Sequence, residues 1–256
     1  MDALGLLALQ IEWGAEEALA ELPVRRLLAH PAAPVRAAVA PAATLVAAPG
    51  IARPSPAGLP TDAAATAGTL AALYAAIRDF PGCALRATAT NPVLPEGDPE
   101  GRLLIIGEPP GAEDDRAGRP FNGPPGLVLD RILAAIGLAR ANILLAPLIP
   151  WRPPGNRPPT DAELAQCLPL LQRLIILAQP RHVVLTGILP VRTLLGRMVN
   201  LRRQHGQWLD LSVPGLPEPV AALPTLSLGS LRSATERRDS WADWRILHRS
   251  ITPGLP

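Results

Sequence analysis

Short apolar runs alternate with segments of helical periodicity through the second half of the chain. The run Leu103–Ile106 is apolar and ends at Gly107, which is typical of a buried strand. Similar runs predict strands at 143–149, 182–187 and 222–228, and helical spacing predicts helices at 125–137, 161–178, 188–196 and from Ser233 onward. This alternation predicts a three-layer α/β/α fold around a central, mostly parallel four-stranded sheet.

Two of these helices begin with a recognisable capping signal. Thr160 is followed three residues later by Glu163, and Ser233 is followed in the same way by Glu236. In such a box the hydroxyl and the carboxylate each accept a hydrogen bond from the other residue's backbone N–H group, which fixes where a helix starts.

The N-terminal quarter has a different character. Leu4, Leu7 and Ile11 recur at helical spacing and predict a helix over 3–21, within an N-terminal unit of residues 1–28. Residues 29–68 are rich in Ala and Pro, and the prolines forbid a continuous helix or a central strand, so we interpret them as a linker. The two interpretations of this linker are a simple tether and a segment that binds a partner. A helix resumes near 66–79, and one compact domain is expected over 69–256.

Composition narrows the classes of function. The formal net charge is +2, and all 24 basic residues are arginines, so a Schiff-base mechanism through a lysine side chain is excluded. Two cysteines are too few for a disulfide framework. The start at Met1 and Asp2 does not resemble a secretion signal, and Pro41 and Pro49 interrupt the longest apolar stretch, so we expect a cytoplasmic protein without a membrane span.

The first candidate site is the turn that follows the first predicted strand. It runs from Gly107 to Asp115 and contains Glu108 and a cluster of three acids. Open α/β sheets bind ligands at the carboxyl ends of their strands, where this turn lies. The pattern matches no dinucleotide or phosphate-binding loop, so a nucleotide cofactor is not indicated. The alternative is an ordinary Pro/Gly turn with a solvated acidic rim.

Two further loops carry candidate binding chemistry. Phe121 lies between a proline and an Asn-Gly pair, in a loop that leads into a helix. One interpretation is that its side chain stacks on a planar ring of a ligand, and the alternative is that it packs the loop onto the core. The segment 151–160 holds two arginines and an asparagine between prolines, ahead of a helix start. Such groups bind phosphates, although solvated surface arginines are the equally weighted alternative.

Together these loops resemble the uracil-DNA glycosylase superfamily, most closely its family 4. The resemblance covers roughly residues 80–245, and residues 3–28 are similar to the leader of alphaproteobacterial members. The matching motifs are Gly107–Gly111, Asp114 with Asp115, Gly118–Gly123, Arg152–Pro158, and Glu163 with Cys167.

The resemblance implies a monofunctional DNA repair glycosylase of base excision repair, a hydrolase that acts as a monomer on DNA containing uracil or a related deaminated base. The damaged nucleotide is extruded, its base is held against Phe121, and water replaces it at C1′ of the sugar. The implied catalytic residues are Glu108 and Ser227. The implied base-binding residues are Gly107, Pro109, Pro110, Gly111, Phe121 and Asn122, and the implied DNA-binding residues are Arg152, Asn156, Arg157 and Arg232.

One departure from the family concerns a metal centre. Family 4 members usually hold a [4Fe–4S] cluster on four cysteines. Here Cys83 and Cys167 match two of the four positions, whereas Phe80 and Trp151 stand at the others. Two thiolates cannot complete a four-cysteine site, so we expect neither cluster nor other metal, with the two aromatic rings filling the space.

Two further departures concern the base itself. Pro147 stands where the family has an asparagine that reads the uracil edge, and the amide of Asn122 is a candidate substitute. Ser227 stands at the position of a histidine that stabilises charge on the departing base. The loss of one such stabiliser costs on the order of 10²–10³ in rate. The alternative function is therefore a divergent, weakly active or inactive relative that binds nucleic acid or a partner.

Overall fold

The structure is a computed structural model that describes residues 66–196 and 198–251. The helices of this part are α1 Leu70–Asp79, α2 Ala112–Ala117, α3 Pro124–Ala135, α4 Asp161–Ala178, α5 Ile188–Leu195, α6 Leu201–Gln204 and α7 Ala234–Ile251. The strands are β1 Glu96–Gly97, β2 Leu103–Gly107, β3 Leu144–Pro147, β4 His182–Thr186, β5 Leu209–Leu211 and β6 Val220–Thr225. The predicted N-terminal helix and nearly all of the Ala/Pro-rich linker lie outside the described residues.

The strands form one mixed sheet in the order β1-β3-β2-β4-β6-β5. The four inner strands are parallel, and the two edge strands are antiparallel to their neighbours. In register, Gly107 is opposite Pro147, and Thr186 is opposite Thr225. The carboxyl ends of β2, β3, β4 and β6 therefore meet at one edge, where ligands of open α/β sheets bind.

Helices cover both faces of the sheet, as predicted. On one face, Leu104 and Ile106 of β2 belong to a core that includes Leu73 and Ile77 of α1 and the apolar side of α4. On the other face, Ile105 belongs to a core with side chains of α3 and α7. Alternate residues of β2 thus point to opposite cores, and all five are buried, which explains why this strand is apolar throughout.

The prediction of four strands was incomplete, because the sheet has six among the described residues. The missed strands β1 and β5 are two and three residues long, too short to show an alternating pattern. The acidic stretch after Gly111 was interpreted as a turn but forms α2, whose end is marked by Gly118 at φ +67°. Both predicted capping boxes are present, at Thr160 and at Ser233.

Two aromatic rings fill the core between α1, β3 and α4. Phe80, at the carboxyl end of α1, and Trp151, after β3, stack with ring centroids 5.8 Å apart and an interplanar angle of 21°. Both side chains are almost fully buried in the same core as Cys83 and Cys167. Aromatic pairs in this offset geometry contribute dispersion beyond their burial, so the stack ties the segment after α1 to the loop after β3.

No helix in the described part of the chain combines the length and the apolar character that crossing a bilayer requires.

Removal of the larger ring tests this packing. We expect Trp151→Ala to lower the free energy of unfolding by about 3–5 kcal/mol, because it leaves a cavity and ends the stack with Phe80. We expect Trp151→Phe to lose less, since it keeps an aromatic ring. Urea denaturation measures both, with the exposed Trp241→Ala as the matched control. A Trp151→Ala loss no larger than that of the control would contradict the stated role.

Candidate active site

A cavity of about 160 Å³ opens at the carboxyl edge of the sheet. It is bounded by the turn after β2, the loop before α3, the ends of β3 and β4, and the loop after β6. The lining residues are Gly107, Glu108, Pro109, Gly111, Glu113, Asp114, Pro120, Phe121, Gly123, Pro125, Pro147, Thr186, Ser227, Leu228 and Gly229. The structure therefore brings together Glu108, Phe121 and Ser227, which lie far apart in the sequence.

One carboxylate connects the first two loops of the cavity. Asp114 Oδ2 accepts the backbone N–H of Gly111 at 2.8 Å, and Oδ1 accepts the backbone N–H of Asn122 at 2.6 Å. Hydrogen bonds to an ionised group are stronger than neutral ones, and two of them from one carboxylate fix both loops at once. Sequence analysis noted Asp114 only as part of a motif and missed this role, although its place in the acidic cluster was a usable signal.

The backbone of Phe121 is held in an unusual conformation. Its φ is +53°, in the left-handed region that residues other than glycine rarely adopt. Arg140 offsets the cost, because its guanidinium donates to the carbonyl of Phe121 at 2.5 Å and to that of Pro120 at 3.3 Å. Arg140 is in turn bonded to Asp130 at 2.6 Å. Nothing in the local sequence around Phe121 predicted this arginine, which lies 19 residues further along the chain.

Two glycines make room for Phe121. A Cβ at Gly107 would lie 2.6 Å from Cζ of the Phe121 ring, so the ring packs directly against the end of β2. A Cβ at Gly126 would overlap the carbonyl oxygen of Phe121. The ring is partly buried, packs against the core that contains Ile105, and also lines the cavity wall.

Glu108 also lines the cavity, where it pairs with a residue of the loop after β6. Its Oε2 accepts a hydrogen bond from Ser227 Oγ at 2.5 Å. The side chain also passes close to Gly187, where a Cβ would lie 2.7 Å from the carboxyl carbon. Gly187 has φ +95°, so both its conformation and the approach of Glu108 require glycine. The Glu108–Ser227 pair joins the loops after β2 and β6.

The rest of the cavity lining includes the carboxylates of Glu113 and Asp114 but no side-chain amide. Pro147 faces the cavity without a side-chain donor, and the buried hydroxyl of Thr186, another residue that sequence analysis missed, donates to the carbonyl of Ile106 at 3.3 Å. Asn122, the candidate substitute for a base-reading amide, is exposed and lies off the cavity wall, with its amide nitrogen 3.4 Å from the carbonyl of Glu113. Pro110 is buried and also lies off the cavity wall.

The arginines of the loop at 151–160 are engaged within the protein. Both terminal nitrogens of Arg157 bond the carboxylate of Glu163, at 2.8 and 2.6 Å. Arg152 donates to the side-chain oxygen of Asn156 at 2.7 Å and lies 3.9 Å from Asp115. Neither guanidinium reaches the cavity. In this structure, the two arginines that were predicted to bind phosphates form hydrogen bonds within the protein, and these bonds hold the loop.

A broad groove of about 1,210 Å³ adjoins the cavity and shares Glu108, Ser227 and Gly229 with it. Three exposed arginines lie along this groove: Arg192 of α5, Arg202 of α6 and Arg232 after β6. Their guanidinium groups form no hydrogen bond or ion pair with the described residues. Asn156 and Glu236 also line the groove, and the Glu236 carboxylate accepts the N–H groups of Ser233 and Arg232.

Comparison of the sequence with known proteins identifies a family. The model of the uracil DNA glycosylase superfamily matches residues 94–247, more than half of the chain. A type-4 uracil-DNA glycosylase of Pyrobaculum aerophilum is 34% identical over 126 residues, which cover 49% of this chain and 64% of the relative. One of Thermotoga maritima is 32% identical over 135 residues, 52% of this chain and 70% of the relative. One of Sulfurisphaera tokodaii is 37% identical over 106 residues, which cover 41% of this chain and 48% of the relative.

The chain belongs to the uracil-DNA glycosylase superfamily. The alignments span between about half and 70% of the length of these three curated relatives. All three carry the type-4 description, which confirms the resemblance to family 4.

This glycosylase-superfamily chain lacks the donors of a four-cysteine cluster. Cys83 and Cys167 are both unpaired thiols, and their sulfurs lie 3.9 Å apart. The resemblance assigns the other two family positions to Phe80 and Trp151, whose rings are stacked. No group of three or more His, Cys, Asp or Glu among the described residues is arranged to hold a metal ion. The donor set therefore does not fit an iron–sulfur cluster.

The two thiols influence each other. The hydrogen bond from Cys167 lowers the pKa of Cys83 to about 7, and that contact together with burial raises the pKa of Cys167.

The Arg157–Glu163 pair has a testable pH dependence. Bonds from Arg157 lower the pKa of Glu163 from 4.5 to about 2, so its contribution to stability is complete above pH 4.5 and is lost as the pH falls toward 2. We expect Glu163→Gln to lower the free energy of unfolding by about 1–3 kcal/mol at pH 7 and by progressively less below pH 4.

Urea denaturation across this pH range measures the effect, with the exposed Glu100→Gln as the matched control. A penalty for Glu163→Gln that stays constant between pH 7 and pH 2 would contradict the assigned ion pair.

Proposed function

We propose that this chain is a monofunctional DNA glycosylase that hydrolyses the N-glycosidic bond of uracil, or of another deaminated base, in DNA. The observation that carries the proposal is the convergence of Glu108 and Phe121 on one cavity at the carboxyl edge of the sheet. The type-4 names of the relatives agree with this activity. The chain then acts in base excision repair, as a monomer.

The cavity suits a single flipped base. One wall is the ring of Phe121, set against Gly107, on which a planar base stacks. The lining also holds the carboxylate of Glu108 with the hydroxyl of Ser227. A base in this slot places its sugar toward the mouth, where the cavity meets the groove that shares Glu108 and Ser227.

Glu108 is the residue best placed to act on the reacting atoms. During hydrolysis the bond from C1′ to the base nitrogen breaks, a water oxygen bonds to C1′, and the water proton needs an acceptor. The carboxylate of Glu108 orients this water and accepts its proton, while Ser227 holds the carboxylate in place through the 2.5 Å bond. Without lysine in the chain, the reaction stops at the abasic site.

A different observation favours the alternative function. Pro147 and Ser227 line the cavity where a base-reading amide and a cationic histidine are expected from the family pattern. Ser227 donates a hydrogen bond but carries no positive charge. A cavity of this kind holds a base more readily than it stabilises the negative charge of a departing one, so binding of nucleic acid with little or no excision is the second candidate function.

The groove next to the cavity is the proposed DNA-binding surface. Arg192, Arg202 and Arg232 are exposed along it, whereas Arg152 is bonded to Asn156 of its own loop and Arg157 to Glu163 of α4. Arginines without internal partners are available to phosphates and release counterions when they bind them. Of the residues named from the sequence, Arg232 and Asn156 are retained as DNA contacts, and Arg192 and Arg202 are added.

We also propose that this reaction needs no iron–sulfur cluster. Within the described core only two thiols are present where four are required, and two aromatic rings occupy the remaining family positions.

Substitution of the carboxylate separates the two candidate functions. We expect Glu108→Gln to reduce the single-turnover rate of uracil excision by about 10²–10⁴-fold, because the amide cannot accept the proton. Affinity for the same uracil-containing strand changes little, since the cavity and Phe121 are intact. The assay uses a labelled oligonucleotide and alkali cleavage, on protein from a host that lacks other uracil glycosylases.

Glu100→Gln serves as the control, because this exposed carboxylate precedes β2 at the opposite end of the strand. Binding of the wild-type protein without any abasic product would reject the enzyme and support the alternative function.

Salt dependence tests the proposed DNA surface. We expect Arg192→Ala and Arg202→Ala each to lower the slope of log affinity against log salt concentration by roughly 0.7–0.9, the value of one phosphate contact. Fluorescence anisotropy with a labelled strand measures the slope. The matched control is Arg238→Ala on α7, an exposed arginine that does not line the groove. Equal slopes in the groove variants, the control and the wild type would remove the groove from the model of binding.

A further inference from the structure

The two cysteines of the chain meet in the interior although 84 positions separate them. Cys83 precedes a turn of 3₁₀-helix at Ala84–Ala87, and Cys167 lies in the middle of α4. Their sulfurs are 3.9 Å apart, and each is the side-chain hydrogen-bond partner of the other. Both residues are free thiols and at most 3% exposed. The chain contains no other cysteine.

The surroundings of the pair give neither thiol a competing role. The neighbouring core includes apolar side chains such as Leu85, Leu170 and Trp151, and the Glu163 carboxylate is close enough to act electrostatically on both sulfurs. The described residues form no larger group of metal-ligating side chains around the pair. The proposed glycosylase mechanism uses neither sulfur. With no third cysteine, the only intramolecular disulfide available to the chain joins these two residues.

The two sulfurs lie within a short movement of bonding distance. Bonded sulfurs lie about 2.05 Å apart, so the pair must close by about 1.9 Å. Rotation about the Cα–Cβ bonds moves a sulfur over this range without displacing a helix. Cys83 lies outside regular helix, at φ −118° and ψ 124°, so its backbone can also adjust. A small cavity of about 20 Å³ beside Cys167 has room for a water-sized molecule.

We propose that Cys83 and Cys167 form a reversible disulfide when the protein meets hydrogen peroxide, so that the core holds an oxidative modification site. One cysteine sulfur attacks a peroxide oxygen, the O–O bond breaks, and a sulfenic acid and one water form. The second sulfur then attacks the first, the S–O bond breaks, and the S–S bond forms with loss of a second water. Two thiols lose two electrons in total, and one peroxide is reduced to two waters.

The bond encloses the first half of the candidate active site. The enclosed chain contains β2 and β3 with the cavity residues Gly107, Phe121 and Pro147. A cross-link over a long stretch restricts the unfolded chain strongly and therefore favours the folded state. We expect oxidation to raise the ratio of folded to unfolded protein by roughly 10²–10³-fold. This inference does not rest on the glycosylase activity.

The test uses the whole chain, which is treated with hydrogen peroxide and then denatured in the presence of the alkylating reagent iodoacetamide. The expected result is a monomer that takes up no alkylating groups, has lost 2 Da and regains both thiols with dithiothreitol. Mass spectrometry separates this change from oxidation of the exposed Met198, which adds oxygen. Urea denaturation is expected to occur at higher concentration in the oxidised protein, and dithiothreitol is expected to reverse the shift.

Cys83→Ala and Cys167→Ala are the matched variants, and each is expected to lose the peroxide-dependent shift while remaining folded without oxidant. The proposal is overturned if both thiols survive peroxide that oxidises Met198, if the products are sulfinic or sulfonic acids without a cross-link, or if the cross-link joins two chains. Stoichiometric iron bound in the protein as isolated would also overturn it, because the thiols would then be metal ligands.

Discussion

The candidate active site depends on the carboxylate of Asp114, which fixes two loops that would otherwise be independent. One oxygen binds the turn after β2 at Gly111, and the other binds the loop before α3 at Asn122. Between these points Phe121 adopts a positive φ, a conformation that costs on the order of 1–3 kcal/mol for such a residue. The bonds from Arg140 to the carbonyls of Pro120 and Phe121 complete the support. The ring is thus set in position before any ligand arrives.

Beyond this rigid wall, the cavity is lined by the carboxylates of Glu108, Glu113 and Asp114 but by no side-chain amide. Pro147 contributes shape only, and the hydroxyl of Thr186 is turned to a backbone carbonyl. In the proposed function, recognition of a base relies on stacking and on exclusion by shape, together with the Glu108–Ser227 pair. Stacking tolerates any planar base, so this cavity is expected to discriminate among deaminated bases less sharply than one with a dedicated amide.

Periodicity predicted the inner strands and the long helices, because their burial repeats along the chain. It could not predict β1 and β5, whose pairing depends on neighbours distant in sequence. The motifs pointed to Glu108 and Phe121, which both line the cavity. They did not indicate which side chains Arg152 and Arg157 bond. The capping box predicted the bond between Glu163 and the backbone of Thr160, but it did not predict that the Glu163 carboxylate also binds Arg157. An arginine in a phosphate-binding motif is indistinguishable, in sequence, from one that holds its own loop.

The core around Phe80 and Trp151 is held together by aromatic packing and two thiols. A cluster on four cysteines would join the segment after α1, the loop after β3 and helix α4 by covalent bonds. Here the same three regions meet through two stacked rings and two thiols in an apolar core. Packing of this kind is local and cooperative, so it supports the loop after β3 only while the whole core is intact. The loop therefore gains further support from bonds at its other end, where Arg157 joins Glu163 and Arg152 joins Asn156. Arg152 and Arg157, which the resemblance assigns to DNA, thus help to hold this loop, and the proposed phosphate contacts lie instead with the arginines of the adjoining groove.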